Sequence, residues 1–294
     1  MLVPLAGGGQ ETLLSEVGSQ YLLPLFTTRD ACALRLVCRE FLAAVSEQPW
    51  EDRGTAIKGS IAAWRACFPR ARCANVQQTE FYRDKEPERR AAPVTDADFV
   101  HFRGLRELNM AGCKSVTDAA FAHLSGIRKL DMSECDQDSI TDAAFAHLRG
   151  IRTLNMRNCS QLTDAAFAHL RGIKVLNMSE CCQDSITDAA FVHLDGIRRL
   201  DMSYCDQDGI TDAAFVHLRG IRTLNMSECC QDGITDAAFV HLRGIRTLNM
   251  SECFQNGITD AAFVHLDGIC TLDMSGCRPV CIAAARALIL PVRD

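Results

Sequence analysis

Long apolar runs are missing from this 294-residue chain, and no stretch approaches the roughly 20 residues needed to cross a bilayer. A membrane partner is therefore not expected. The opening MLVPLAGGGQ lacks both a basic start and a sufficiently long apolar core, so it does not read as a signal peptide. Excess positive charge is missing too: residues 1–94 carry 12 basic and 11 acidic groups, and residues 95–294 carry 19 and 26. Nucleic-acid binders show a basic face, and a segment at -7 (19 minus 26) argues against that class. Aromatic residues are scarce at 6%. Signatures of catalysis are missing as well: there is no G-x-S-x-G, P-loop, H-E-x-x-H or paired C-x-x-C site. The expectation is a chain that is not an enzyme and has no cofactor and no metal.

What the chain has in abundance is repetition. Thr-Asp pairs open at Thr95, Thr117, Thr141, Thr163, Thr187, Thr211, Thr235 and Thr259, spaced 22 or 24 residues apart. The stretch from Thr211 to Ile234, TDAAFVHLRGIRTLNMSECCQDGI, shows the unit in full. A period in this range marks a solenoid.

Each unit reads as a short helix followed by a strand. In the second unit Thr117 is the expected N-cap, Asp118 suits the positive helix end, and Phe121 and Leu124 share an apolar face. Gly126 supplies a left-handed stop, which leaves a helix of about two turns. Ile127, Leu130, Met132 and Cys135 then alternate as a strand, with Leu130 and Met132 inward and residues 129, 131 and 133 outward. Neither half can bury its apolar face alone, so the units must stack around a shared core. Strands sit about 4.8 Å apart and helices about 8–10 Å apart, a mismatch that curves the stack with the sheet inside.

The pattern L-x-x-L-x-M-x-x-C followed by an I-T-D helix start resembles the cysteine-containing leucine-rich repeat of F-box proteins, over residues 94–282 in eight units. The resemblance implies an α/β solenoid, curved, with a parallel inner sheet and outer helices. These units run slightly shorter than that subtype.

Before the array, residues 11–52 form a helical module. Leu34, Val37, Cys38, Phe41, Leu42 and Val45 fall at helical spacing within Arg29–Glu47, with Thr27 or Thr28 as cap. Leu13–Leu25 reads as one or two short helices interrupted by Pro24. The string Leu25–Phe41, LFTTRDACALRLVCREF, together with Pro49-Trp50, resembles an F-box; Leu14-Ser15 stands where that family begins with Leu-Pro. This all-α module then implies a Skp1-type adaptor held by Leu14, Leu25, Leu34, Val37, Cys38 and Trp50. A helical cap on the open end of the array is the alternative reading. Residues 53–93 read as a linker and degenerate first repeat, helical over Ile61–Cys67, extended over Ala71–Val76 and a charged loop over Glu80–Pro93. A last helix over Cys281–Leu290 leads into a C-terminal cap, residues 283–294.

Two ladders look like chemistry. All eight histidines share one helix position, from His101 to His265. Zinc holds imidazole nitrogens at about 2.0–2.1 Å, whereas neighbouring helices start about 8–10 Å apart, so a partly exposed structural ladder is expected. The cysteines Cys113 to Cys277 recur where each strand ends. A disulfide tolerates the strand spacing, but the absence of a signal sequence and the regular placement favour reduced thiols in the cytoplasm or nucleus. The resemblance places those thiols inward. Cys182 and Cys230 are extra and expected to be exposed.

On the concave face the outward columns are Asn or Asp (Asn109 to Asp273), then mostly Ser, then Glu (Glu134, Glu180, Glu228, Glu252). Hot spots need aromatic, arginine or apolar anchors. Departures from the consensus supply them at Lys129, Arg157, Asn158, Val175, Arg199 and Tyr204. These are the candidate residues for an unknown protein target. An F-box followed by such repeats implies a non-catalytic substrate receptor of a Skp1-cullin-F-box ubiquitin ligase; the alternative is a repeat scaffold or inhibitor with no ubiquitin role.

Overall fold

A computed structural model of the chain describes residues 23–36, 39–78 and 92–277. Leu14, Val37, Cys38, most of the Glu80–Pro93 loop, the Cys281–Leu290 helix and the 283–294 cap lie outside the described residues. The chain divides into two compact units, Met1–Asn75 and Val76–Asp294.

In the first unit a 3-10 turn, Leu23–Leu25, leads into helix α1 (Thr28–Leu34). Thr27 caps it in a reciprocal box: its hydroxyl accepts from the Asp30 N–H at 3.3 Å, and Asp30 Oδ2 accepts from the Thr27 N–H at 3.1 Å. The helix expected to run unbroken to Glu47 instead stops, and α2 (Arg39–Glu47) follows. The break has a visible cause in the hydrogen bonding. Arg35 N–H still reaches Ala31 four residues back, but Leu36 N–H bonds to Ala33, a tightened last turn that ends the helix and leaves Leu36 88% exposed.

Helix α3 (Ile61–Cys67), capped by Ser60, and strand β1 (Cys73–Asn75) match the helical and extended stretches read from the sequence. They are more than linker. Phe68 and Ala71 share one core with Leu23, Ala31, Val45 and Trp50, and the Trp50 and Phe68 rings meet edge-on at 5.6 Å. Asp52 ties α1 to the segment beyond Trp50, accepting from the Thr28 N–H at 2.8 Å and hydroxyl at 2.9 Å, and from the Thr55 N–H at 3.1 Å. Burial pushes its carboxyl up, but these hydrogen bonds outweigh burial and hold it below the usual range.

The second unit is the array. Its strands are β2 (Glu107–Asn109), β3 (Lys129–Asp131), β4 (Thr153–Asn155), β5 (Val175–Asn177), β6 (Arg199–Asp201), β7 (Thr223–Asn225), β8 (Thr247–Asn249) and β9 (Thr271–Asp273). All neighbours pair in parallel and in register, Leu beside Leu from Leu108 to Leu272. The extended residues Val76 and Gln78 donate to the Asn109 and Ala111 carbonyls and so pair the outer edge of β2.

Between strands lie single α-turns: α4 (Asp118–Phe121), α5 (Asp142–Phe145), α6 (Asp164–Phe167), α7 (Asp188–Phe191), α8 (Asp212–Phe215), α9 (Asp236–Phe239) and α10 (Asp260–Phe263). The expected two turns prove to be one α-turn, which in α5, α8 and α9 continues as a 3-10 turn through Leu148, Leu218 and Leu242. Phe121 to Phe263 and Leu124 to Leu266 on one layer, with Leu130 and Met132 and their counterparts on the other, enclose a buried core. Helices this short have no stability of their own. Packing and caps supply it.

Each cap reaches across the repeat boundary. Thr211 accepts from the Ala213 N–H at 3.3 Å, and Asp188 of the preceding unit accepts from the Thr211 N–H at 2.8 Å and hydroxyl at 2.7 Å. The same rung recurs from Asp96–Thr117 through Asp236–Thr259. Asp188 also accepts from Ala214 N–H at 3.1 Å. Asp188→Ala therefore removes charge-assisted bonds on a half-buried group, with an expected loss of about 1.5–3 kcal/mol, measured as a shift in the denaturant midpoint. Asp184→Ala, an exposed residue one unit boundary earlier, should leave the midpoint unchanged.

Candidate binding surface

The strands are three residues long because the residue after the inward leucine turns its side chain back on the chain. Asp131 Oδ1 accepts from the Ser133 N–H at 3.1 Å and hydroxyl at 2.7 Å, and Asn177 and Asp201 do the same to Ser179 and Ser203. Ser133, Ser179 and Ser203 are buried. The serine column expected on the open face is thus spent on the turn, and the Asn/Asp column from Asn109 to Asn249 is half-buried beside it, with Asp273 and Ser275 of the last unit exposed.

The next residue takes a left-handed backbone. Glu134, Asn158, Glu180, Tyr204, Glu228 and Glu252 all have φ between 55° and 60°, where the first and last units use Gly112 and Gly276. That conformation follows from the turn and raises these side chains at the exit end of each strand.

Among the residues expected to hold a target, Arg157 is already engaged. Its Nε and Nη2 donate to Glu180 Oε1 at 2.9 and 2.6 Å, and its Nη1 lies 3.5 Å from Glu134. The Glu180 bond, with the surrounding carboxylates, raises the guanidinium pKa further. Tyr204 is 47% exposed, and its hydrogen bond to Glu228 holds its phenol above the ordinary value. Lys129 stands 4.0 Å from Glu107. Val175 is half-buried and pairs in register with the exposed Arg199 on β6. The residues therefore fall in two rows along β3–β6: Lys129, Val175 and Arg199 where the strands enter, and Arg157, Asn158 and Tyr204 where they leave. Arg157 and Tyr204 meet the same acidic row, and Lys129 lies three strands from Arg199.

Of the residues expected to meet an adaptor, Leu25 is 79% exposed, whereas Trp50 is buried with its indole N–H donating to the Val45 carbonyl at 2.8 Å, and Leu34 packs against the same core. Trp50 and Leu34 hold the module together. Phe26, next to Leu25, and Leu36 and Leu42 farther along the module are also exposed apolar side chains, and helical periodicity had assigned Leu42 to the core.

The cysteine ladder is buried and free of disulfides. Cys113 donates to the Val76 carbonyl at 3.5 Å, and from Cys135 onward each thiol donates to a methionine carbonyl of the preceding unit, from Cys135 to Met110 at 3.4 Å to Cys253 to Met226 at 3.0 Å. Burial pushes the Cys181 thiol up to about 11 and the Cys135 and Cys253 thiols up to about 12. Cys182 and Cys230 are exposed. The histidines take part in a further ladder: Arg103 Nε donates to His123 Nδ1 at 3.0 Å and Arg219 Nε to His241 Nδ1 at 3.3 Å, while His217 Nδ1 meets Asp195 Oδ1 at 3.1 Å.

Sequence reasoning missed the glutamines. Gln137, Gln183, Gln207, Gln231 and Gln255 each turn an amide inward to donate to the carbonyl of the preceding unit's cysteine. Their fixed place two residues after each ladder cysteine from Cys135 to Cys253 was the available signal.

With parallel strands in register, alternating short helices and a buried ladder at each boundary, the architecture is settled. The fold is that of a leucine-rich-repeat solenoid. Over 72% of its length the chain superposes on 30% of a chain in the TLR13-ssRNA13 complex, with a TM-score of 0.57 and 20% identity. Over 80% it superposes on 34% of a chain in the Drosophila Toll–Spatzle complex, glycosylated form, with a TM-score of 0.57 and 16% identity. Internalin C2 from Listeria monocytogenes str. 4b F2365 aligns at 19% identity and TM-score 0.47, covering 60% of this chain and 74% of that one. The chain spans about a third of the length of the first two. No family model and no curated protein matches it.

The left-handed row has a measurable cost. A side chain in that conformation costs about 1–2 kcal/mol relative to glycine before glycine's greater unfolded-state freedom offsets part of it. Glu228→Gly is expected to raise stability by up to about 1 kcal/mol, and Glu228→Val, β-branched at φ 56°, to lower it, both read from denaturant midpoints.

Proposed function

We propose that the leucine-rich repeats hold a protein target on the open sheet face while the N-terminal helices dock a Skp1-type adaptor. The chain would then be a substrate receptor of a Skp1-cullin-F-box ubiquitin ligase in the cytoplasm or nucleus, with catalysis left to its partners. The observation that carries this reading is the exposure of Leu25 and Leu36 at 79% and 88% on a module that already has its own core. Large apolar side chains left out of a formed core mark an interaction site. For the target, support comes from Arg157, Tyr204 and Arg199 on the strands, since arginine and tyrosine are the residues that anchor interfaces. Arg157 and Tyr204 are pre-positioned by Glu180 and Glu228, which lowers the entropy lost on binding.

Purified full-length chain should retain a Skp1-type adaptor in a pull-down. Leu25→Glu with Leu36→Glu should weaken retention at least tenfold without moving the melting temperature, because neither residue lies in the core. A well-folded wild-type chain that fails to bind leaves a repeat scaffold or inhibitor without a ubiquitin role. The target surface is tested separately, by proximity labelling with the wild type and with Arg157→Ser, Arg199→Thr, Tyr204→Glu in the source cell. Neighbours labelled by the first and lost with the second are targets, and identical sets contradict the surface.

A further inference from the structure

A parallel sheet sends every loop that enters a strand to one edge and every loop that leaves it to the other, so the net charge of the array conceals how its charges are placed. The residue just before each strand is basic in seven successive units: Arg106, Arg128, Arg152, Lys174, Arg198, Arg222 and Arg246. Three residues earlier a second column adds Arg149, Arg171, Arg219 and Arg243, together with Arg103. Across those two positions in eight units there are twelve cations against two carboxylates, Asp195 and Asp267, a net of +10 (12 minus 2). The loops leaving β2–β8 hold ten carboxylates against two cations, Lys114 and Arg157. The sequence-level argument from a -7 array therefore does not describe the entry edge.

The seven pre-strand cations are aligned and, among the described residues, not neutralised by a carboxylate. Arg128 Nη1 donates to the Gly150 carbonyl at 3.1 Å, Arg152 Nη1 to Gly172 at 3.2 Å and Lys174 Nζ to Gly196 at 2.9 Å. Arg171 and Arg219 donate to the uncharged Nδ1 of His193 and His241. Among the described residues no salt bridge joins any of the seven pre-strand cations to a carboxylate. Arg128, Arg152 and Lys174 are thus held in place by neutral acceptors, and a guanidinium spends one of its five donors doing so. All but the half-buried Lys174 are exposed.

We propose that this edge is a binding site for the phosphate backbone of single-stranded nucleic acid. The row repeats at the strand spacing of about 4.8 Å; phosphates follow one another at about 3.4 Å in a stacked strand and farther apart in an extended one, so a flexible strand can bring successive phosphates to successive units. Arginine, eleven of the twelve cations, binds phosphate through paired donors. Neither column contains an aromatic residue on which a base could stack, so binding is to the backbone and independent of sequence. The site adjoins Lys129, Val175 and Arg199, strand residues proposed to hold a protein, but is made of different side chains and does not depend on that reading. A second copy of the chain is the rival occupant, offering its acidic edge. That edge is interrupted at Asn158, Ser160 and Gln161 and partly neutralised by Arg157 and by Lys114, which pairs with Asp136. Its charges do not match an unbroken row.

The test is fluorescence anisotropy of full-length chain with a 24-nucleotide mixed-sequence RNA and the DNA of the same sequence, from 50 to 200 mM KCl. Both should bind alike, with log affinity falling against log salt at a slope of about -5 if seven phosphates are held at about 0.7 each. Arg219→Gln, Arg222→Gln, Arg243→Gln and Arg246→Gln together keep an amide donor at each place and remove the charge. This variant strips two of the seven units and should bind at least tenfold more weakly at 100 mM KCl, with a slope shallower by about 1.4. Asp206→Asn with Asp232→Asn on the opposite edge should leave the slope unchanged. Should the fourfold variant unfold, Arg222→Gln and Arg246→Gln alone should each reduce the slope by about 0.7. Several results would overturn the proposal: no binding of either strand at 50 mM KCl, equal binding by wild type and arginine variants, binding of anionic lipid vesicles but not of nucleic acid, or salt-sensitive self-association that the arginine variants abolish while nucleic acid stays unbound.

Discussion

The array depends on one constraint: no unit can satisfy its own backbone. Every helix is a single α-turn, too short to close more than its first hydrogen bonds. The free groups at its start and at the turn after each strand are met from the neighbouring unit. Asp and Thr join the helix starts, a glutamine amide meets the carbonyl of the cysteine before it, and the cysteine thiol meets the methionine carbonyl. These bonds, the cysteine and glutamine ones buried, fix the register of the hydrophobic core, because each requires the next unit to arrive with the same residue at the same height. The near-identity of the units from Thr211 and Thr235 is then what the geometry asks for at buried and capping positions.

That division explains what could be read from the sequence. Burial has a period, so the inward Leu130 and Met132, the Thr117 cap and the Gly126 stop at φ 86° were legible, as was the parallel order of the strands, while the inward cysteines followed from the family resemblance. Local hydrogen bonding does not have a period of its own. Asp131 capturing Ser133 turned an expected open column inward, and the left-handed Glu134 row was invisible because glutamate carries no mark of that backbone. In the N-terminal unit the same limit hid the break after α1: apolar spacing ran on from Leu34 to Val45 while the helix did not.

Charge was the least legible property, because summing it discards the axis along which a parallel sheet sorts it. Entry and exit loops of opposite sign cancel in the total and lie on opposite edges of the sheet. The three surfaces now separate by chemistry: an apolar set at Leu25 and Leu36, an acidic row interrupted by Arg157 and Tyr204, and an arginine row at the strand entries. Segregated charge of this kind steers different partners to different faces.

The claim on which all of this rests is that the unit is interchangeable because every boundary is closed by the same bonds. Deleting Thr211–Ile234, one complete unit, brings Thr235 to Asp188 and Cys253 to the Met202 carbonyl in place of Thr211 and Cys229. Circular dichroism and thermal melting of that deletion should show a folded chain with a single cooperative transition, a few degrees below wild type. Deleting only residues 211–222, half a unit, should abolish the transition. A whole-unit deletion that unfolds as completely as the half-unit deletion would contradict the account.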